Sequence, residues 1–550
     1  MKRGGGTGLP IAALMLMSAC TGTGSIMPTP SVAVIDFRAV ACSLPHEWLL
    51  RTWRGWNAAR GGDLQILPEE GNLIDPGLPH VGPWAYAQDI PMLWYWPGVI
   101  DAADVVHGEV TLADIAPTQA GLLGFDRPRD PDGRRVLGAW DERPGPLPQP
   151  RLLVTIVWDA VGADVLLAHP DSWPTLADLS EAGVWYPRAS VGSSPTQTAQ
   201  SHATIGTGDW PRRHGLLAHR MRIGGTLTTP WAEGPAYLRV PTLADLFDRA
   251  RENRPVVGEL GTLAIHLGLV GHGSAFPGGD RDVVALREAE HATTLGLEGD
   301  RWDIPVADRP YFRLPTYLNA VPGFSRDVRA TDAADGKIDG RWRDDDIARL
   351  AEGFDTPARI PYQERALETM ITREGFGADD VPDLLFVNFK LTDFVAHAFG
   401  MESPEMADAL AAQDAALGSL VSFLDREVGR GRWALVLTAD HGAAPSPDVT
   451  GGTVISSGKM RRAIEAAFDT DGDGTSVVEL IQATEIYLNV QELEQNGHTL
   501  GDVAQLVGGM TAGEVAAGAP PPEPDAPVFR AAYPSSVLAD LPCLQEARAA

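Results

Sequence analysis

Residues 433–444, WALVLTADHGAA, run from an unbroken apolar stretch into Asp440 and His441. A short continuous apolar run that ends in polar residues reads as a strand buried on both faces, as in a parallel sheet. Where the chain leaves that strand through a sharp turn, the adjacent carboxylate and imidazole can converge on one cation. A second stretch repeats the pattern upstream. In DLLFVNFKLTDFVAHAFG, residues 383–400, the strand passes into a helical turn that carries Asp393 and His397, four apart and so on one face. Carboxylate plus imidazole is a ligand mixture that zinc accepts. Alone, either pair could be a solvated polar face; two of them, each after a buried strand, read as two halves of a two-metal site.

A third apolar run, RLLVTIVWDAVGAD at residues 151–164, ends in Asp159. Three carboxylates therefore stand at the carboxyl ends of three expected parallel strands, where open α/β sheets bind their ligands. The fold class expected is α/β, with a mainly parallel central sheet. Downstream, SSPTQTAQSHATIGTGDWPRRHGLLAH (193–219) is a hydroxyl-rich segment turning into a helix, with Thr196 and Thr198 as neighbouring candidate nucleophiles.

The order strand-Asp, P-T-x-T-x-x-x-H-x-T-x-x-T-G, D-x-x-x-H and D-H-G resembles the alkaline phosphatase superfamily, nearest to type I phosphodiesterase/nucleotide pyrophosphatases and threonine-type alkaline phosphatases. That resemblance implies an alkaline-phosphatase-like α/β/α sandwich and Thr198 as nucleophile. It implies one zinc on Asp159, Asp440 and His441 touching Thr198, and a second on Asp393, His397 and one further histidine. In the family that histidine lies well downstream of D-H-G, where this chain offers only His498 in a polar, helix-like segment. Instead PHVGPWAYAQDIPMLWYWPGVI (79–100), followed by VTLADIAPTQAGLLGF (110–125), resembles the family's C-terminal segment. His80 is accordingly assigned as the third ligand, and the chain reads as a circular permutation of the family order. Permutation is tolerated where the original termini lie close together at the surface. Cys42 and Cys543 would flank the old junction, and a disulfide between them is expected.

The remaining expectations concern organisation and substrate. MKRGGGTGLPIAALMLMSAC reads as a bacterial lipoprotein signal peptide over 1–19 that leaves Cys20 to carry a lipid anchor, with a plain secretory signal as the alternative. A tether over 20–35 would follow, then one permuted catalytic domain over 36–550. Its expected parts are the family C-terminal segment (36–150), the nucleophile segment (151–225), an inserted cap (226–380), the metal-ligand core (381–500) and a tail (501–550). SPEMADALAAQDAALGSLVSFLDREVGRG predicts a long helix with Ser403 at its cap and Pro404 in its first turn. DTDGDGTSVVE places Asp469, Asp471 and Asp473 as in the start of a calcium loop, but position twelve is Leu480, so an acidic surface turn competes with a structural calcium site.

Lys and Arg number 44 against 73 Asp and Glu, a net charge of −29, which argues against a nucleic-acid backbone as a stable partner. A small phosphate ester must then be attracted locally by the metal charges. Where relatives carry a phosphoryl-binding Asn, this chain has His219, which can donate the same hydrogen bond and add charge. Where monoesterases of the family carry K-x-R, GGDRDVVAL has Gly279 and Arg281, so half of a phosphate clamp is missing. The preference this implies is for phosphodiesters or nucleotide pyrophosphates, with a monoesterase, and a non-catalytic zinc-stabilised lipoprotein, as alternatives.

Overall fold

The computed structural model describes residues 35–75, 80–100, 108–127, 130–137, 148–287, 301–350, 355–518 and 521–545. The signal peptide, Cys20 and nearly all of the tether lie outside the described residues.

The strands that matter, in chain order, are β1 (Leu64–Pro68), β2 (Asp89–Tyr95), β3 (Leu152–Trp158), β4 (Val184–Ser190), β5 (Val257–Gly261) and β6 (Asp282–Leu286). They continue with β7 (Phe312–Arg313), β8 (Asp383–Phe389), β9 (Trp433–Thr438), β10 (Val478–Gln482), β11 (Glu485–Leu488) and β12 (Phe529–Pro534). Among the described residues the main sheet has eight strands in the order β7-β6-β5-β8-β3-β9-β2-β4. From β7 to β9 every pairing is parallel, whereas β2 runs antiparallel to both β9 and β4. The three apolar runs read from the sequence are β3, β8 and β9, which lie side by side at its centre with every residue buried. Their continuous apolar character follows from cover on both faces. The α/β class and the mainly parallel sheet are as expected.

Strand direction sets which residues meet. β3, β8 and β9 all end on one edge of the sheet, so Asp159, Asp393 and Asp440 leave it together. Because β2 is antiparallel to β9, pairing Met92 with Thr438 and Tyr95 with Leu435, the start of β2 lies beside the end of β9. The segment before β2, with His80, is thereby brought to the same edge. Gly442 marks how close this approach is: a Cβ there would stand 2.1 Å from the Tyr86 carbonyl oxygen, and its N–H donates to Ala87 O at 3.0 Å. The glycine of D-H-G is required by that backbone contact.

Four helices support the edge: α1 (Thr198–Thr207), α2 (Arg359–Glu374), α3 (Leu391–Phe399) and α4 (Pro404–Leu424). In α4 the Ser403 hydroxyl accepts from Met406 N at 3.1 Å, with Pro404 at the first position, as read from the sequence. This helix packs against α2 and α3.

Two expected boundaries need correction. Within 226–380, β5, β6 and β7 are strands of the main sheet, so the centre of the expected cap is core; their short runs, separated by Gly- and Pro-rich loops, hid the strand pattern. Nor is 501–550 a tail. β12 lies beside β1 in a second sheet, order β10-β11-β1-β12, and its hydrophobic cluster joins residues from both ends of the described chain.

Cys42 and Cys543 are disulfide-bonded across a sequence separation of 501 residues. A cross-link between such distant positions strongly restricts the unfolded chain. Reduction is expected to lower unfolding stability by about 2–5 kcal/mol, measured as a guanidinium midpoint with and without dithiothreitol. Coincident transitions would mean that the pair is not bonded in solution. No helix among the described residues is long and apolar enough to cross a membrane.

Candidate active site

Thr198 is the first residue of α1 and is fully buried. Its Oγ1 lies 3.4 Å from His441 Nε2, and Lys390 Nζ donates to it at 3.0 Å. Thr196, two residues earlier, is engaged elsewhere: its hydroxyl donates to the His80 carbonyl, and its own carbonyl accepts from His80 Nδ1 at 2.9 Å. Of the two candidate nucleophiles, Thr198 faces the Asp/His cluster and Thr196 orients His80.

Ligand atoms 2.0–2.2 Å from a tetrahedral zinc stand about 3.3–3.6 Å from one another. His441 Nε2 lies 3.3 Å from Asp440 Oδ2, 3.6 Å from Asp159 Oδ1 and 3.4 Å from Thr198 Oγ1. On the other side, His80 Nε2 is 3.3 Å from His397 Nε2 and 3.8 Å from Asp393 Oδ1, and His397 Nε2 is 3.4 Å from Asp393 Oδ1. Five of these six spacings fall within that range, and the sixth, His80 to Asp393, exceeds it by 0.2 Å. His441 Nε2 is also 4.0 Å from Asp393 Oδ1, and the His80 and His441 rings stack at 3.9 Å, so the two sets adjoin. Asp393 Oδ1 and Asp440 Oδ2 are buried and have no hydrogen-bond partner. Orphaned carboxylate oxygens aimed into one cluster fit a divalent cation.

The imidazoles are held in the ligand form. His441 Nδ1–H donates to Gly442 O at 3.0 Å and His80 Nδ1–H to Thr196 O, which leaves each Nε2 lone pair directed inward. Burial pushes His441 down to about 3 and His80 well below the usual imidazole range. Burial also raises Asp159 to about 6, with Asp393 adding to the rise and Lys390 opposing it, and it pushes Asp440 well above the carboxylate range with Asp159 adding. Three crowded carboxylates call for more cationic charge than Lys390 supplies.

A third grouping, Asp159 with His202 and His266, is close enough for a metal but has the wrong tautomers. His202 Nδ1 donates to Thr198 O at 2.9 Å, and its Nε2 accepts from Asn388 Nδ2 at 3.1 Å. His266 Nδ1 accepts from the backbone N–H groups of Thr262 and Leu263, so its Nε2 carries the proton toward Asp159 Oδ2 at 3.7 Å. These side chains orient Asp159 and the start of α1. The turn after β3 is itself constrained: Ala160 adopts φ 62°, in the left-handed region, and gives its N–H to Asp440 Oδ1 at 3.2 Å. Such strain, of order 1–3 kcal/mol, persists where the surroundings over-determine the backbone.

Two residues expected at the site differ from expectation. His219 borders the cluster, with its N–H on Gln197 Oε1 at 2.9 Å, but burial and the nearby Lys390 charge push it down to about 4. At neutral pH it offers a hydrogen bond and no charge. Arg281 is not at the site. It precedes β6, at the edge opposite the strand ends, and its guanidinium donates to Phe312 O at 3.0 Å and Arg309 O at 2.7 Å. A short motif match cannot register which end of a strand it falls on. His498 packs edge-on against Phe468, 5.0 Å between ring centres, in the hydrophobic cluster of the second sheet. Asp469 and Asp471 come together with Glu492, which the sequence reading missed because it lies beyond the loop; Asp473 is not in that group.

The sequence reading also missed Lys390, Asn388 and Arg359. Lys390 pairs with Asp159 Oδ1 at 2.9 Å and Asp393 Oδ2 at 2.8 Å. Burial opposes its charge, but Asp159, Asp393 and Asp440 together outweigh burial and raise its pKa. A lysine directly after a wholly apolar strand was the available signal. Arg359, from α2, is buried and donates to Thr262 Oγ1 just past β5. The mouth lies at His397, whose side chain is 28% exposed where its neighbours are buried.

The family model described as "Type I phosphodiesterase / nucleotide pyrophosphatase" matches residues 153–510, well over half of the chain. The chain belongs to that family, within the alkaline phosphatase superfamily. The family match begins in β3, so His80 and β2 precede it. Relatives include alkaline phosphatase PhoD of Zymomonas mobilis subsp. mobilis, 25% identical over 326 residues that make up 54% of each chain. Alkaline phosphatase PafA of Elizabethkingia meningoseptica is 44% identical over 70 residues, 13% of each chain. The chain therefore spans about half, or less, of the length of these relatives. Among solved structures, wild-type alkaline phosphatase PafA is similar with a TM-score of 0.49 at 20% identity, covering 66% of this chain and 77% of that one.

Proposed function

We propose that this protein hydrolyses phosphate esters through a phosphothreonine at Thr198, with two divalent cations, zinc by donor chemistry, on Asp159/Asp440/His441 and on His80/Asp393/His397. The observation that carries the reading is the pair of adjoining Asp/His sets with spacing close to that of metal ligands, one of them beside the buried Thr198 hydroxyl. Bound cations would lower the pKa of the nucleophile and of water and offset charge on the phosphoryl group. Thr198 Oγ1 attacks phosphorus in line with the departing ester oxygen. His202 and Asn388 hold α1 and Asp159 in register for that attack. The first amides of α1 are available to a phosphoryl oxygen, and His219 offers a neutral hydrogen bond near the mouth.

Within this reading the substrate is a phosphodiester or nucleotide pyrophosphate. A monoester carries an additional charge that needs its own cationic clamp, and Arg281, the half-clamp inferred from sequence, is bound to carbonyls at the far edge. The relatives named alkaline phosphatases favour the second reading, a monoesterase. Comparing kcat/KM for bis-p-nitrophenyl phosphate and p-nitrophenyl phosphate decides between them: the diester is expected to win by at least about tenfold, ~1.4 kcal/mol in transition-state binding. A monoester preference would overturn the diester assignment and leave the hydrolase.

We further infer that the chain is a circular permutation of the family order, supported by β2 entering the sheet beside β9 and by β1 pairing with β12. Export with a lipid anchor at Cys20 suits the Cys42–Cys543 bond, because disulfides persist in oxidising compartments.

A further inference from the structure

Lys390 lies between β8 and α3 with a side chain 4% exposed, and each of its ammonium protons has an acceptor: Asp159 Oδ1 at 2.9 Å, Asp393 Oδ2 at 2.8 Å and Thr198 Oγ1 at 3.0 Å. Two carboxylates suffice to compensate a buried ammonium. The contact to Thr198 goes beyond what charge pairing needs. Among the described residues Lys390 forms ion pairs with Asp159 and Asp393 and not with Asp440. Its nitrogen is hydrogen-bonded to two oxygens on the nucleophile side of the cluster, Asp159 Oδ1 and Thr198 Oγ1. It touches one oxygen of a carboxylate from each ligand set, so its position is fixed from both sides.

We propose that Lys390 is a catalytic residue whose main task is the second half of the reaction, as a hydrogen-bond donor to Thr198 Oγ1 when that oxygen leaves phosphorus. This rests on the phosphothreonine reading above. In the first step the bond from Oγ1 to phosphorus forms, the ester P–O bond breaks with its electron pair on the departing oxygen, and the threonine proton passes to solvent. In the second step a water oxygen bonds to phosphorus, and the P–Oγ1 bond breaks with its pair on Oγ1. One water proton returns to Oγ1, and the other remains with the phosphate product or solvent.

The two steps are not equally demanding. In the second step the oxygen that leaves is a threonine alkoxide, far more basic than p-nitrophenolate, so the negative charge that most needs a donor develops on Oγ1. Oγ1 is the nucleophile in the first step and the leaving group in the second. A donor held on Oγ1 therefore helps its departure far more than its attack, most clearly when the first leaving group is a stable anion such as p-nitrophenolate.

The test uses zinc-loaded protein with bis-p-nitrophenyl phosphate, following p-nitrophenolate by stopped flow, the p-nitrophenyl phosphoryl adduct on Thr198 by quench and mass spectrometry, and metal per chain by elemental analysis. Lys390→Met is expected to keep its metal and a burst near one equivalent, while steady turnover falls ~10²–10³-fold, the cost typical of losing one donor to a developing oxyanion. Thr198 should then be found largely as that adduct. Lys390→Arg keeps the cation and should restore most of the turnover with less adduct. Turnover of Lys390→Met within about threefold of wild type, or slow turnover without the adduct, overturns the proposal. If Lys390→Met loses metal, Lys390→Arg decides: normal metal with turnover still lost and no adduct overturns it as well. If no protein forms the adduct and Thr198→Ala stays active, the phosphothreonine reading itself falls, which the preceding outcomes leave standing.

Discussion

Thr198→Ala is expected to lower kcat/KM by roughly 10³–10⁶-fold, the range seen when a covalent nucleophile is removed while binding and electrostatic groups stay in place. Oγ1 is the hydroxyl oxygen shown in contact with both Lys390 and His441, and a methyl group in its place cannot bond to phosphorus. Metal content should stay near that of wild type, since each ligand set keeps its carboxylates and imidazoles. Stability should fall by about 1–3 kcal/mol, because the buried Lys390 ammonium loses one of its acceptors. Thr196→Ala is the contrasting variant: it removes the hydroxyl that holds the His80 carbonyl, so any loss should follow metal occupancy. The measurement is kcat/KM beside metal per chain for both variants. Activity retained in Thr198→Ala would exclude the covalent route.

Metal removal is expected to have the second largest effect, and its size should depend on pH with a definite sign. Stripping with a chelator should reduce activity to background and lower the melting temperature. In the stripped protein Asp159 is raised to about 6, chiefly by burial, and Asp440 is raised further. A carboxylate with a raised folded-state pKa contributes stability below its unfolded value, near 4, and loses that contribution as pH climbs through the folded value. The stripped protein should therefore weaken between about pH 4 and pH 6 and beyond. Burial would also raise Asp393, but the Lys390 charge, with His397, holds it well below the usual range, so it stays ionised and adds nothing in that window. Bound cations remove the penalty for ionising Asp159 and Asp440. The gap in melting temperature between loaded and stripped protein should widen from pH 5 to pH 7, and a gap that stays constant or narrows would count against these carboxylates as ligands. His80→Ala belongs to the same series. It should lower the metal content from about two ions per chain toward one. Unchanged occupancy would remove His80, and with it the permuted ligand assignment.

Several parts of this protein were legible before any coordinates. The runs at 152–158, 383–389 and 433–438 are apolar without interruption because they become central strands covered on both faces, and that pattern is local. Asp159, Asp393 and Asp440 could be placed at strand ends for the same reason; the runs gave the α/β class, and the sandwich came from the family resemblance. The pairing of Cys42 with Cys543 was expected only from the family resemblance and the permutation proposed on it, and the disulfide is present.

What remained depended on contacts between residues far apart in sequence. Thr196 and Thr198 are equivalent as letters; the His80 segment captures one, and Lys390 with His441 faces the other. Arg281 matched a motif, yet the parallel direction of β6 puts the residue before that strand at the edge away from the site. Lys390 read as a polar residue between a strand and a helix until Asp159, from β3, and Thr198, from α1, were found on the same ammonium. Residues 257–313 looked like a cap because short strands at the side of a sheet gain their hydrogen bonds, and most of their burial, only when their neighbours are present. Periodicity along the chain determined the elements of this protein. Strand direction and pairing across the sheet decided which side chains share one buried site, because hydrogen-bonding and electrostatic complementarity are satisfied in space and leave little trace in local sequence.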